Sequence, residues 1–240
     1  MLGSVSAATG TRRRGSHQLP PGRHGLSPSF VASNQRERIM AALAESVTER
    51  GYTDLTVEDI IARAGVSRRT FYDQFANKQE AFLAAYDEVT QQLMTNIGVA
   101  QSSATDFAEG VERALEAFLY YLAVEPAFAH MCIVDALGAG PAAIERRNAI
   151  IRVFMALFDR AAETLGERPP PLTSETVVNA IHGVVYARIA DDRTDELPAL
   201  LPDLLYASLL PYLGERAAAQ AQQRAAEPRI RAETDGAATR

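Results

Sequence analysis

Thr56 to Phe75 reads TVEDIIARAGVSRRTFYDQF, and this stretch decides the fold. Val57, Ile60, Ile61 and Ala64 recur at helical spacing, so they form the apolar face of a short helix. Thr56, with Asp59 three residues on, makes a capping-box pattern that satisfies backbone N–H groups left open by a first helical turn. Gly65 then breaks the helix, because a tight helix-to-helix turn needs a residue that tolerates the left-handed conformation. Ser67 caps the helix that follows.

That second helix begins with Arg68 and Arg69, a choice stability alone does not favour. Positive charge at a helix N-terminus opposes the macrodipole and costs roughly a few tenths of a kcal/mol per residue. A partner explains the pair better than the fold does. A recognition helix in a major groove points its first residues at base edges, where arginine binds guanine O6 and N7 bidentately. Ser67, Thr70, Tyr72 and Gln74 add hydroxyl and amide groups suited to phosphates or bases, while Phe71 and Phe75 anchor the helix to its own domain. The plainer alternative is a short helix with solvated arginines.

Outward from this centre, Asn34 with Glu37 is expected to open a preceding helix striped by Ile39, Leu43 and Val47, which Gly51 ends. Together these give a three-helix unit with a core of Ile39, Leu43, Val47, Leu55, Val57, Ile60, Ile61, Val66, Phe71 and Phe75. Asn77 and Glu80 cap a further helix carrying Phe82, Tyr86, Val89 and Leu93, which links this unit to the rest of the chain. Lys78 at its first position again has the wrong sign for the dipole, as a phosphate contact or as a plain surface lysine.

Residues Gln35 to Tyr86 resemble the DNA-binding domain of the TetR family of bacterial transcriptional regulators. QRERIMAALAESVTERGY, LTVEDIIARAGVSRRTFYDQF and NKQEAF carry the resemblance, over about a fifth of the chain. It implies phosphate contacts from Thr56, Tyr72 and Lys78, and base readout by Arg68, Arg69 and Thr70. It also implies a divergent helical ligand domain after the DNA-binding unit.

The chain has 240 residues, 47% hydrophobic, enough for one large or two modest domains with a sizeable core. Its single cysteine, Cys132, excludes an internal disulfide framework and a multi-cysteine zinc site, and fits a reducing cytoplasm. No apolar run reaches the roughly 20 residues that span a bilayer, so no membrane partner is expected, and the N-terminal arginines precede no secretory h-region. A formal net charge of -6 argues against nonspecific nucleic-acid binding. The charge is unevenly spread: Arg12, Arg13, Arg14, Arg23 and Arg36 precede the first acid, Glu37. Residues 1 to 33, rich in Gly, Ser, Pro and Arg, are expected to form a disordered basic arm, either lying in a minor groove through Gly22-Arg23-His24-Gly25 or acting as a passive leader.

From Thr105 onward the pattern is all helical. Helices are expected from Phe107 to the Glu125-Pro126 stop, from Pro126 to Gly138, through Ile144 to Leu165, and from Ser174 to Ile189. A final leucine-rich helix should start near Pro198 or Pro202 and bend or break near Pro211. The expected domains are 34 to 76 for DNA binding, 77 to 216 for effector binding and dimerisation, and 217 to 240 as a tail. The leucines of LPALLPDLLYASLLPYL exceed what one helix side buries, so the last two long helices are expected to form a homodimer. Phe107, Phe118, Tyr121, Phe128, Met131, Phe154, Phe158, His182 and Tyr186 are expected to line a mostly apolar effector pocket.

No catalytic residues, cofactor or metal site are expected. Two of the four histidines, His17 and His24, fall in the arm; His130 and His182 show no ligand spacing. Cys132 lies in an apolar helix, and no phosphate loop or GxSxG elbow occurs. The reading is an all-α, homodimeric, sequence-specific DNA-binding regulator, a repressor released from a palindromic operator by a hydrophobic small molecule. The alternatives are a helical enzyme using His182 with Tyr186 or Asp135, and an effector-independent architectural DNA-binding protein.

Overall fold

The computed structural model describes residues 28–166 and 169–227, all of it helix, turn and loop. The arginines and Gly-Arg element placed in a basic arm, and the chain after Glu227, lie outside the described residues. Three helices form the N-terminal unit, α1 (Pro28–Arg50), α2 (Val57–Ala64) and α3 (Arg68–Gln74). A long connecting helix follows, α4 (Lys78–Gln101), and then α5 (Phe107–Val124) and α6 (Pro126–Ile133). After a 3-10 turn (Asp135–Leu137) come α7 (Pro141–Ala162), α8 (Thr173–Ala190), a second 3-10 segment (Thr194–Leu200) and α9 (Leu201–Ala226).

The capping chemistry read from the sequence is present. Thr56 Oγ1 accepts from the Asp59 backbone N–H while the Asp59 carboxylate accepts from the Thr56 backbone N–H at 3.0 Å. Gly65 is left-handed at φ 63, and Ser67 and Asn77 cap α3 and α4 by accepting from Thr70 and Glu80 N–H groups. All ten predicted core residues pack in the N-terminal core, with Val57, Ile61 and Val66 only partly buried.

Several boundaries differ from expectation. Helix α1 opens at Pro28, not at Asn34, because proline suits a first turn whose N–H groups lack partners anyway. Asn34 therefore lies inside the helix and the arm expected over 1 to 33 gives way to helix at its end. The division at 76/77 is crossed by packing: Met131, Cys132, Ala136, Ala139 and Ala143 join the same core as Ile39 and Phe71. The N-terminal unit thus rests on α6.

The bend in α9 falls at Gly214 (φ 76, ψ 170) rather than at Pro211. Proline removes one hydrogen bond, but only glycine readily takes that positive φ. Past the bend the chain doubles back, so that Gln222 Nε2 donates to Asp203 Oδ1 at 2.9 Å and Ala218 and Ala221 are fully buried. The expected tail from 217 is helix to Ala226. This return also changes the account of the leucines: Leu197, Leu201, Leu204, Leu205 and Leu209 are buried within the protomer against α5 and α8. Thr194–Ala226 is long and apolar enough to cross a membrane by length and composition, with mean hydropathy 1.2, yet it is bent and folded against its own domain.

Candidate functional site

Helix α3 is held by Phe71 and Phe75, both buried, which turns its first residues outward. Arg69 is the freest of these, its side chain 90% exposed and 3.8 Å from Asp73 one turn on. Arg68 is committed in part: its guanidinium pairs with Glu58 of α2 and lies 5.7 Å from the Tyr72 ring centroid. The Tyr72 ring is exposed, Gln74 and Thr70 are half-buried, and the Thr70 hydroxyl lies 2.8 Å from Ser67 Oγ. Thr56 donates its hydroxyl to Asp59 Oδ2 at 2.6 Å, and these Thr56 contacts hold the Asp59 carboxyl below its ordinary range.

Lys78 stands apart from them. Its ammonium donates to the carbonyls of Tyr52 (2.7 Å) and Leu55 (2.6 Å) and sits 4.3 Å from the Tyr52 ring centroid. Burial lowers its pKa. Two of its three N–H groups are thus spent on tying the start of α4 to the loop before α2. Arg38 does the same for the turn between α2 and α3, donating to the Ala64 and Gly65 carbonyls. No sequence pattern marked that role for Arg38, because it depends on a contact 26 residues away.

The second feature is a cavity of about 410 Å³ between α4, α5, α7 and α8. Tyr86, Val89, Leu93, Ile97 and Gln101 form its α4 wall, one stripe of about 22 Å at about 1.5 Å rise per residue. Of the nine expected lining residues, Phe107, Phe118, Phe154, Phe158 and His182 face it. The other four do not. Met131 is fully buried in the core shared with the N-terminal unit, and Tyr121 and Phe128 pack against that core. Tyr186, one turn beyond His182, is half-buried outside the lining. A single helical turn separates them, yet the cavity ends before the second. At the far end Phe107 and Phe158 pack on Tyr212 of α9, with centroids 5.1 and 6.0 Å apart.

Arg147 also lines the cavity, and the sequence reading passed over it. It sits on the α7 stripe of Ile144, Ile151, Phe154 and Phe158, so a charge interrupting an apolar stripe was the available signal. Its Nη2 lies 3.4 Å from His182 Nδ1. Burial and the Arg147 charge push the His182 pKa down to about 4, so the ring is neutral near pH 7. The groupings weighed for an enzyme are separated: Asp135 is paired with His130 at 2.6 Å rather than with His182.

Residues 39–85 match the model for bacterial regulatory proteins of the tetR family. Among curated proteins, the chain is 26% identical over 200 residues to the HTH-type transcriptional regulator EthR of Mycolicibacterium smegmatis, covering 80% of this chain and 89% of that one. It is 26% identical over 118 residues to the HTH-type transcriptional activator FasR of the same organism, covering 49% of this chain and 54% of FasR. The match thus spans about half the length of FasR. Among solved structures, the fatty acid degradation regulator FadR of Bacillus halodurans superposes with TM-score 0.65 at 20% identity, covering 74% of this chain and 94% of that one. FadR of Bacillus subtilis, in complex with stearoyl-CoA, gives TM-score 0.62 at 19% identity, covering 74% and 98%. At these identities the structural likeness is one of fold. The fold and the helix-turn-helix are similar to those of bacterial regulatory proteins of the tetR family, whose model matches residues 39–85 of this chain.

Proposed function

We propose that this chain is a homodimeric, sequence-specific DNA-binding regulator, a repressor that leaves a palindromic operator when a hydrophobic small molecule enters the cavity. One observation carries the reading: α4 follows the recognition helix directly in the chain, is tied by Lys78 to the loop before α2, and forms a wall of the cavity. A ligand that moves the α4 wall changes the separation of two recognition helices. A dimer reads two half-sites only when that separation matches about 34 Å or a multiple of it. The apolar lining suits a hydrophobic effector, and the stearoyl-CoA bound by the Bacillus subtilis FadR is in keeping with that class. The protein works in the cytoplasm, on the nucleoid when bound.

Arg69 reads bases, and Arg68 joins it once DNA replaces Glu58 as its partner. Thr56, Ser67, Thr70, Tyr72 and Gln74 supply backbone or base contacts around them, with Lys78 adding its remaining N–H. Dimerisation uses the solvent face of α8 and α9, where Ala180, Gly183, Ala187, Ala207 and Leu210 are exposed. Helices bearing small side chains approach closely, which gives a four-helix interface. A Cβ at Gly183 meets nothing within 4 Å inside the protomer, so Gly183→Arg should leave the fold intact and yield monomers by light scattering.

Selection of bound DNA from a random pool tests the whole reading. An enriched inverted repeat is the expected result; no enrichment, or an asymmetric site, contradicts it.

A further inference from the structure

We propose that the effector carries a carboxylate, held by Arg147 and the Nε2–H of His182 at the end of the cavity nearer the DNA-binding unit. This deepens the reading of the cavity as an effector site and rests on it. A guanidinium only donates, so at 3.4 Å from Arg147 Nη2 the His182 Nδ1 is the acceptor and its ring hydrogen is on Nε2. That Nε2 and the Nε of Arg147 are both buried without a hydrogen-bond partner. Both side chains line the cavity, and a turn of either about its own bonds would aim an unpartnered donor at an acceptor that enters with a ligand.

No anion of the chain fills that place. Among the described residues Arg147 pairs with no carboxylate, and its Nη1 donates to the neutral Asn148 amide at 3.1 Å. From the other helices around it, Tyr86 of α4 and Cys132 of α6 line the same end, and burial raises both pKa values so that both stay neutral. Asp106 is the one carboxylate in the lining, and it neighbours the opposite end near Gln101. The end is marked by an ion pair, Arg146 Nε to Asp87 Oδ1 at 2.8 Å, which joins α7 to α4 beside Arg147 and Tyr86. The cavity therefore has a cationic end that carries hydrogen-bond donors and an apolar channel of about 22 Å along α4. A carboxylate with an extended apolar tail matches both parts. An acyl thioester would bring only a neutral carbonyl to the donors.

A head at Arg147 also has a route to DNA. It draws on α7 where α7 is tied to α4, one turn from Phe82 in the core of the DNA-binding unit.

The test uses the full chain and three probes, palmitate, 1-hexadecanol and palmitoyl-CoA, titrated by calorimetry into wild type, Arg147→Met and Arg147→Lys. Palmitate is expected to bind wild type at least tenfold more tightly than hexadecanol. Arg147→Met should weaken palmitate tenfold or more while leaving hexadecanol within twofold, and Arg147→Lys should recover part of the loss. Equal binding of palmitate and hexadecanol to wild type overturns the carboxylate assignment. So does palmitoyl-CoA binding more tightly than palmitate and unaffected by Arg147→Met. In either case, release of operator DNA by the bound probe would leave the effector reading standing. Binding by none of the three removes both. The wild-type comparison decides the matter even where a substitution impairs folding.

Discussion

In the DNA-binding unit the helices that follow α1 start on a side chain that accepts from the first turn: Thr56 for α2, Ser67 for α3 and Asn77 for α4. In the C-terminal part α5 starts on Asp106, which accepts from the Glu109 N–H, but α6, α7, α8 and α9 start without such a side chain, two of them on a proline at N1 and a third on a proline in the first turn. The first region fills its interior with Phe71, Phe75 and Phe82. The second keeps about 410 Å³ open, with Arg147 and His182 in its lining. Local rules thus close the part that must present a fixed surface. The part that must accept a guest is held by long-range packing around a gap.

The sharpest way to break this contrast is truncation. Phe71→Ala should cost about 3–5 kcal/mol by urea denaturation, the range for a phenylalanine lost from a filled core. Phe154→Ala, at the wall of an existing gap, should cost less than half as much. Equal losses would mean that the two interiors are packed alike.

Enlargement gives the reverse experiment. Ala44, fully buried on α1, has no room for leucine, and Ala44→Leu should destabilise by about 1–3 kcal/mol. Ala114→Leu points into the cavity and should leave the melting temperature unchanged or raised, while weakening probe binding. A large loss of stability at Ala114 would show that the cavity wall cannot take up volume.

On the DNA face, Arg69→Ala should cost about 1–3 kcal/mol of operator binding and change the ranking of operator variants, as base-reading arginines do. Arg68→Ala should cost less on binding, since the free protein already gives part of that guanidinium to Glu58. Fluorescence anisotropy over a panel of single-base variants separates the two; identical rankings for wild type and both variants would reject base readout.

The smallest effect sharpens the contrast inside the C-terminal part. His130 is raised above 6.5 by its hydrogen bond to Asp135. Its stabilisation is therefore complete below about 6.5 and fades as pH rises through the raised folded value. His182 is lowered to about 4, so its contribution is present above 6.5 and is lost as pH falls towards 4. His130→Gln should flatten the alkaline side of a melting-temperature profile and His182→Asn the acid side. The opposite assignment would contradict both environments.

Much of the N-terminal unit was legible because its signals are short-range. Thr56 with Asp59, Gly65, and Ser67 with Thr70 all act within a few residues, and the apolar spacing of Ile39, Leu43 and Val47 names its own buried face. The cavity was half legible. Phe107, Phe118, Phe154 and Phe158 announce apolar faces, but which apolar face meets a gap and which meets another helix depends on how helices cross. Met131 and Phe128 went to the core with α1 for that reason. Leu201, Leu204, Leu205 and Leu209 of α9 are buried within the protomer against α5 and α8, and a leucine periodicity does not show which helix covers a face. Arg38, Lys78 and Arg147 take their roles from contacts far along the chain.

The central claim is that cavity and DNA face are coupled through α4, and the most direct measurement is a calorimetric titration of whichever of palmitate and hexadecanol binds the free protein, with and without saturating operator. Linkage makes the effect reciprocal, so a ligand that releases DNA must itself bind the DNA complex more weakly. The predicted result is an affinity lower by about 5- to 150-fold in the presence of operator, corresponding to a coupling of about 1–3 kcal/mol. Equal affinities in the two titrations would contradict it.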